Sequence, residues 1–152
     1  MAFLSTALET LLTTKEDGRK GEKIAYRGYL LAQEVKSENY HMPQRVLDVY
    51  EKRSTVVHGS GIYVASRKDY WLMLDFAQAN LNNYIQYVGE HKLTKPMGIF
   101  TKLLQSEHLT PLLKWLEEDF EGDEGSQDIA NSIKEDLAKE KKKKTTAKTG
   151  PG

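Results

Sequence analysis

Cysteine is absent from all 152 residues. That excludes disulfides, zinc–thiolate centres and thiol catalysis, and it fits a reducing compartment. No apolar run approaches the length of a membrane span, and no apolar stretch follows a basic start in the manner of a secretory signal. Neither sign of charge dominates: Lys plus Arg and Asp plus Glu both number 22, so the molecule as a whole is not a polycation built for nucleic acid. No segment shows the alternation of a half-buried strand, and no internal repeat is visible. These absences point to a cytoplasmic chain with no membrane segment, long enough for one domain with its own core.

What remains is helical periodicity. In "MAFLSTALETLLTT", Phe3, Leu4, Ala7, Leu8, Leu11 and Leu12 recur at three- and four-residue spacing, the pattern of one buried face. "KEDGRKGE" reads as a solvated loop. A second helix is expected from Glu22 to about Lys36, with Ala25, Tyr29 and Ala32 on one face and Ile24, Leu31 and Val35 beside them. Pro43 suits the first turn of a third helix, which should run to about His58, where Gly59 and Gly61 can end it. The fourth and longest helix is expected from Arg67 to Glu90, with Tyr70, Met73, Leu74, Ala77, Leu81, Ile85 and Val88 as its buried stripe. Met97 to Gln105 and Leu109 to Phe120 read as shorter helices separated by "SEHLTP". The expected fold is an all-α, up-and-down bundle of about five to six helices over residues 1–120.

After Phe120 the composition changes. Residues 121–152 contain no aromatic side chain, and six acids stand between Glu117 and Glu124 without a lysine or arginine. This segment reads as a charged tail ending in a disordered basic stretch. Residues 126–140 can add a helix through Ile129, Ile133 and Leu137 if some surface receives that face.

The third helix holds the oddest feature. In "YEKRSTVVHGSG", residues 50–61, Arg53 falls on the stripe formed by Val46, Val49, Tyr50 and Val57. A buried arginine without a partner costs several kcal/mol. It must therefore pair with a carboxylate, snorkel, or sit where the stripe opens into a cleft or a partner surface. His58 follows five residues later, about 140° further round the axis. The two meet on one ligand only if His58 hangs off the helix end. Taken alone, the pair reads as a snorkelling arginine and a histidine cap, since a helix C-terminus favours imidazolium.

The longer string "YEKRSTVVHG" resembles the signature of the HEPN superfamily, in particular its Apea-like branch, with a tyrosine, Arg-Ser, an apolar pair and His-Gly closing a central helix. "ALETLLT", the charged loop and "EKIAYRGYLLA" are similar to the same branch. The resemblance covers roughly residues 1–90. It implies a helical bundle that pairs as a homodimer, with Arg53, Ser54 and His58 of each protomer at a shared cleft. Many relatives are metal-independent endoribonucleases in toxin, abortive-infection or RNA-decay systems. Others use the fold to bind nucleotides or partners. Ser54 matches the Apea-like form, where many other relatives carry asparagine. An antitoxin or a sensor domain is an expected partner, and no cofactor is expected.

The residue types suit that chemistry. RNA supplies its own nucleophile, the 2′-hydroxyl. His58 can exchange a proton near neutral pH, and Arg53 can hold charge on the phosphorane oxygens. Ser54 is placed to hold a phosphate oxygen or orient His58, and Lys52 to add positive potential for RNA. Tyr50 reads as core rather than as a base-stacking platform. His41, His91 and His108 lack ligand spacing, so no metal site is expected. Trp71 and Trp115 read as core or interface residues. The alternative to a ribonuclease is a non-catalytic module that dimerises or docks a partner.

Overall fold

The computed structural model describes residues 2–57, 66–95 and 97–149. Among these residues there are seven helices and no strand. They are α1 (Ala2–Leu12), α2 (Lys20–Glu34), α3 (Pro43–Val57), α4 (Arg67–His91), α5 (Met97–Leu103), α6 (Ser106–Asp119) and α7 (Glu124–Thr149). The chain is all-α, as its periodicity predicts.

Helix α2 is the centre of the bundle, packed by α1, α3, α4 and α7. Ile24, Ala25, Leu30, Leu31 and Ala32 join the core, yet Lys23 and Arg27 are also buried on this helix. Two glycines let neighbours approach it closely. A Cβ on Gly28 would lie 2.7 Å from the Phe76 ring and 2.8 Å from Asn80 Oδ1 on α4. A Cβ on Gly21 would lie 2.8 Å from the Tyr50 ring on α3.

Three expectations require correction. First, α4 turns a partly different face inward: Met73 is buried and Ala77 and Val88 pack against the core as expected, but the rest of the stripe does not follow. Its buried residues are Met73, Phe76, Ala79, Asn80, Asn83 and Tyr87, whereas Tyr70, Leu81 and Ile85 are exposed. The helix carries two apolar stripes, and the close approach at Gly28 selects the one containing Phe76 and Asn80. Asn80 is tolerated there because its amide donates back to the Phe76 carbonyl at 2.8 Å.

Second, "SEHLTP" is helix rather than loop. Leu109 is fully buried, and the amides of His108 and Leu109 both bond the Gln105 carbonyl at 3.0 Å. Pro111 sits inside α6 on an exposed position, where its ring removes one backbone donor.

Third, the helix allowed for at residues 126–140 is present and longer, Glu124–Thr149, and it packs on the bundle rather than trailing from it as a charged tail. Gly122 takes a left-handed turn at φ 83, and Asp123 accepts the Ser126 amide at 2.8 Å and its hydroxyl at 2.7 Å. Helix α7 then packs on α6, α2 and α3, and Ile129 and Ile133 are fully buried. The bundle therefore does not end at residue 120. The basic stretch continues the same helix, with Lys141 to Lys144 exposed. Alanine, lysine and glutamate favour helix, and Glu140 pairs with Lys144 one turn on at 2.7 Å.

Candidate functional site

Helix α3 carries the residues singled out by the HEPN-like string. Tyr50 is core, 7% exposed, and its hydroxyl donates to Glu9 on α1. Val46, Leu47 and Val49 are buried with it. This anchoring fixes α3 against the bundle just before its last two turns, which contain Arg53 and Ser54. His58 lies outside the described residues. Lys52 is exposed and pairs with Asp48 at 2.9 Å. Bonding to that carboxylate raises its pKa and offsets its positive potential locally.

A second group of carboxylates meets nearby. Glu22 on α2, Glu51 on α3 and Asp128 on α7 bring one oxygen each within 4.8 Å of one another. Burial raises the Glu22 carboxyl, aided by the charge of Asp128. Burial likewise raises Glu51, aided by Glu22 and Asp128. Acidic groups of this kind are common without an ion, and no metal is assigned to them. They add negative potential to the α2–α3–α7 side of the bundle.

The most enclosed polar group lies between α2 and α7. Arg27 donates to Asp17 at 2.7 Å and 3.3 Å, to the Leu12 carbonyl at 2.9 Å and to Asp136 at 3.2 Å. Its guanidinium lies 5.1 Å from the Phe100 ring centroid. Lys23 donates to Asp136 and to the Ser132 carbonyl, each at 3.1 Å. Tyr26 donates its hydroxyl to the same aspartate. Burial pushes the Tyr26 phenol far up, so it stays a donor. Lys23, Arg27 and Asp136 are at most 5% exposed. The opposite charges are matched and closed to solvent, which makes this a clamp rather than a reaction site.

Two surface clefts complete the picture. One of about 260 Å³ lies between α2 and α6 and includes Tyr29, Glu34, His108 and Trp115. There Tyr29 and Trp115 stack at 5.5 Å with 8° between planes. His108 contacts Glu34 at 2.8 Å and Glu107 at 3.4 Å. The other, of about 300 Å³, lies between α6 and α7, with Lys134 and Glu117 paired at 2.7 Å. His41 contacts Asp75 on α4 at 2.9 Å.

Sequence spacing gives no sign that His108 meets Glu34, or that Glu22, Glu51 and Asp128 converge. These pairs come from different helices. Lys23 and Arg27 did leave a trace, since they lie four residues apart beside the apolar positions of α2.

No family model, curated protein or solved structure matches the chain. No described helix is long and apolar enough to cross a membrane.

Proposed function

We propose that this chain is a metal-independent endoribonuclease of the HEPN type, acting in the cytoplasm as a toxin or antiviral-defence effector. The observation that carries the reading is the placement of the Arg-Ser pair. It follows core Tyr50 by one turn, near the end of a helix seated inside an all-helical bundle. His58 follows Val57, the last described residue of that helix. The strongly basic end of α7, from Lys139 to Lys148, supplies salt-sensitive contacts to phosphate.

His58 takes the proton of the 2′-hydroxyl, whose oxygen attacks the adjacent phosphorus. Arg53 stabilises charge on the phosphorane oxygens, and Ser54 orients the histidine or a phosphate oxygen. The 5′-oxygen leaves and receives a proton from the histidine of a second copy. The products are a 2′,3′-cyclic phosphate and a 5′-hydroxyl. A homodimer supplies that second set, and an antitoxin or sensor domain controls it.

The test is incubation of the full chain with end-labelled RNA in EDTA, beside His58→Ala and Arg53→Ala. Cleavage by the wild type alone supports the reading. Equal, negligible cleavage by all three favours the alternative, a non-catalytic module that dimerises or docks a partner. Two observations lend weight to that alternative: Asp48 neutralises Lys52, and the acidic trio stands on the same side as α3.

A further inference from the structure

Helix α4 has two apolar faces, one buried in the bundle and one only partly covered, where Ala77 and Val88 pack against the core. Met73, Phe76, Asn80, Asn83 and Tyr87 turn into the bundle. Tyr70, Leu74, Leu81 and Ile85 fall within about 60° of one another on the helix circumference, centred about 130° from the buried face. Of these, Tyr70 is 42%, Leu81 50% and Ile85 62% exposed, and Trp71 beside them is 54% exposed. The rings of Tyr70 and Trp71 meet edge to face at 5.8 Å. A continuous apolar stripe of this length is seldom left bare on a monomer.

The stripe is symmetric in a way that selects its occupant. Positions 70, 74, 81 and 85 are balanced about the point between Ala77 and Gln78. A second α4 laid antiparallel on a two-fold axis at that point sets Leu74 against Leu81 and Tyr70 against Ile85. The axis falls between Ala77, which also packs against the protein's own core, and Gln78. The exposed apolar side chains offer on the order of 500 Å² per copy. With the flanking polar residues this approaches the about 800 Å² per partner of a standard interface.

We propose that this face of α4 is a homodimer interface, pairing antiparallel with the same face of a second copy across an axis at Ala77–Gln78. It is isologous, as a two-fold contact must be. The ribonuclease reading also calls on a homodimer, so a strict monomer counts against both, whereas a dimer indifferent to Leu81→Glu and Ile85→Glu overturns this interface alone.

Sedimentation equilibrium of the full chain tests it. The wild type is expected to dimerise with a dissociation constant in the range of roughly 1–100 µM. Leu81→Glu and Ile85→Glu each are expected to weaken the dimer by at least about tenfold. Both positions are solvent-exposed, so the far-ultraviolet circular dichroism should not change. The lack of cysteine allows a second measurement. Gln78→Cys places a single thiol beside the axis and is expected to give disulfide-linked dimers on mild oxidation. Gln86→Cys lies about 13 Å along the helix from the axis and is expected to stay unlinked. A wild type that remains monomeric at about 500 µM overturns the proposal and assigns the stripe to another protein or a lipid surface. A dimer indifferent to both glutamate substitutions, or linked equally through positions 78 and 86, overturns it too.

Discussion

Arg27 on α2 and Asp136 on α7 meet at 3.2 Å across 109 residues of sequence. The arginine is 2% and the aspartate 5% exposed. The same carboxylate also receives Lys23 and the Tyr26 hydroxyl, so one residue of α7 satisfies three buried polar groups within little more than one turn of α2.

Asp136→Ala leaves two cations without their shared anion. The expected loss is about 3–5 kcal/mol, the cost of breaking a buried pair by removing one partner. Urea unfolding followed by circular dichroism measures it. A loss below about 1 kcal/mol would mean that water replaces the carboxylate.

The acid limb of stability should depend on Asp17. Burial pushes its carboxyl up, but hydrogen bonds from Arg27 and the Thr14 amide, with the charge of Arg27, hold it below its ordinary 3.8. Its stabilisation is therefore complete above the unfolded value and lost as pH falls through the lower folded one. Asp17→Asn should cost about 1.5–3 kcal/mol at neutral pH. Its deficit relative to the wild type should shrink below about pH 4. Melting temperatures from pH 7 to pH 2 (roughly the span of carboxylate titration) make the comparison.

Glu22 has the opposite sign. Its folded carboxyl is raised above the ordinary 4.5, chiefly by burial and by Asp128. That contribution is present below the unfolded value and lost as pH rises through the folded one. Glu22→Gln should therefore raise stability at neutral pH, by under about 1 kcal/mol because water screens a half-exposed group. No gain in melting temperature at pH 7, or a gain that persists undiminished at pH 3, would contradict this.

Truncation should separate the two halves of α7. A chain ending at Phe120 loses buried Ile129 and Ile133, each worth about 1.5–3 kcal/mol, and strands Lys23 and Arg27. It is expected to show no cooperative melt. A chain ending at Glu140 keeps every buried residue described in α7 and should melt within a few degrees of the full chain, while binding RNA with a shallower salt dependence. Calorimetry and salt titrations read the two effects.

Gly28→Ala should destabilise the bundle by about 1–3 kcal/mol through overpacking. The added Cβ meets Phe76, which is 2% exposed and cannot swing aside. Gly89→Ala is the control, since a Cβ there meets nothing within 4 Å. Its expected effect is neutral or slightly stabilising.

Much of this architecture is legible from local chemistry. Apolar spacing marks the helices, Pro43 opens α3, and Ser66 caps α4 by accepting the Asp69 amide at 3.1 Å. The candidate site is legible only as a string: Arg53 and Ser54 lie on a helix as expected, and His58 lies outside the described residues. Lys52 reads as a source of positive potential, but its partner Asp48 stands one turn back on the same helix.

By itself, then, the sequence determined that the protein is helical, where most helices begin and end, and that it has no disulfide chemistry. These properties follow from short-range periodicity, capping and composition, which act within a few residues. Only the tertiary structure decided which face of α4 turns inward, because that choice depends on the close approach of Phe76 and Asn80 to Gly28. Only it decided that α7 belongs to the core, because Ile129 and Ile133 need a surface that other helices build. Lys23 and Arg27 could be buried for the same reason: the carboxylate of Asp136 that offsets their desolvation lies more than a hundred residues away.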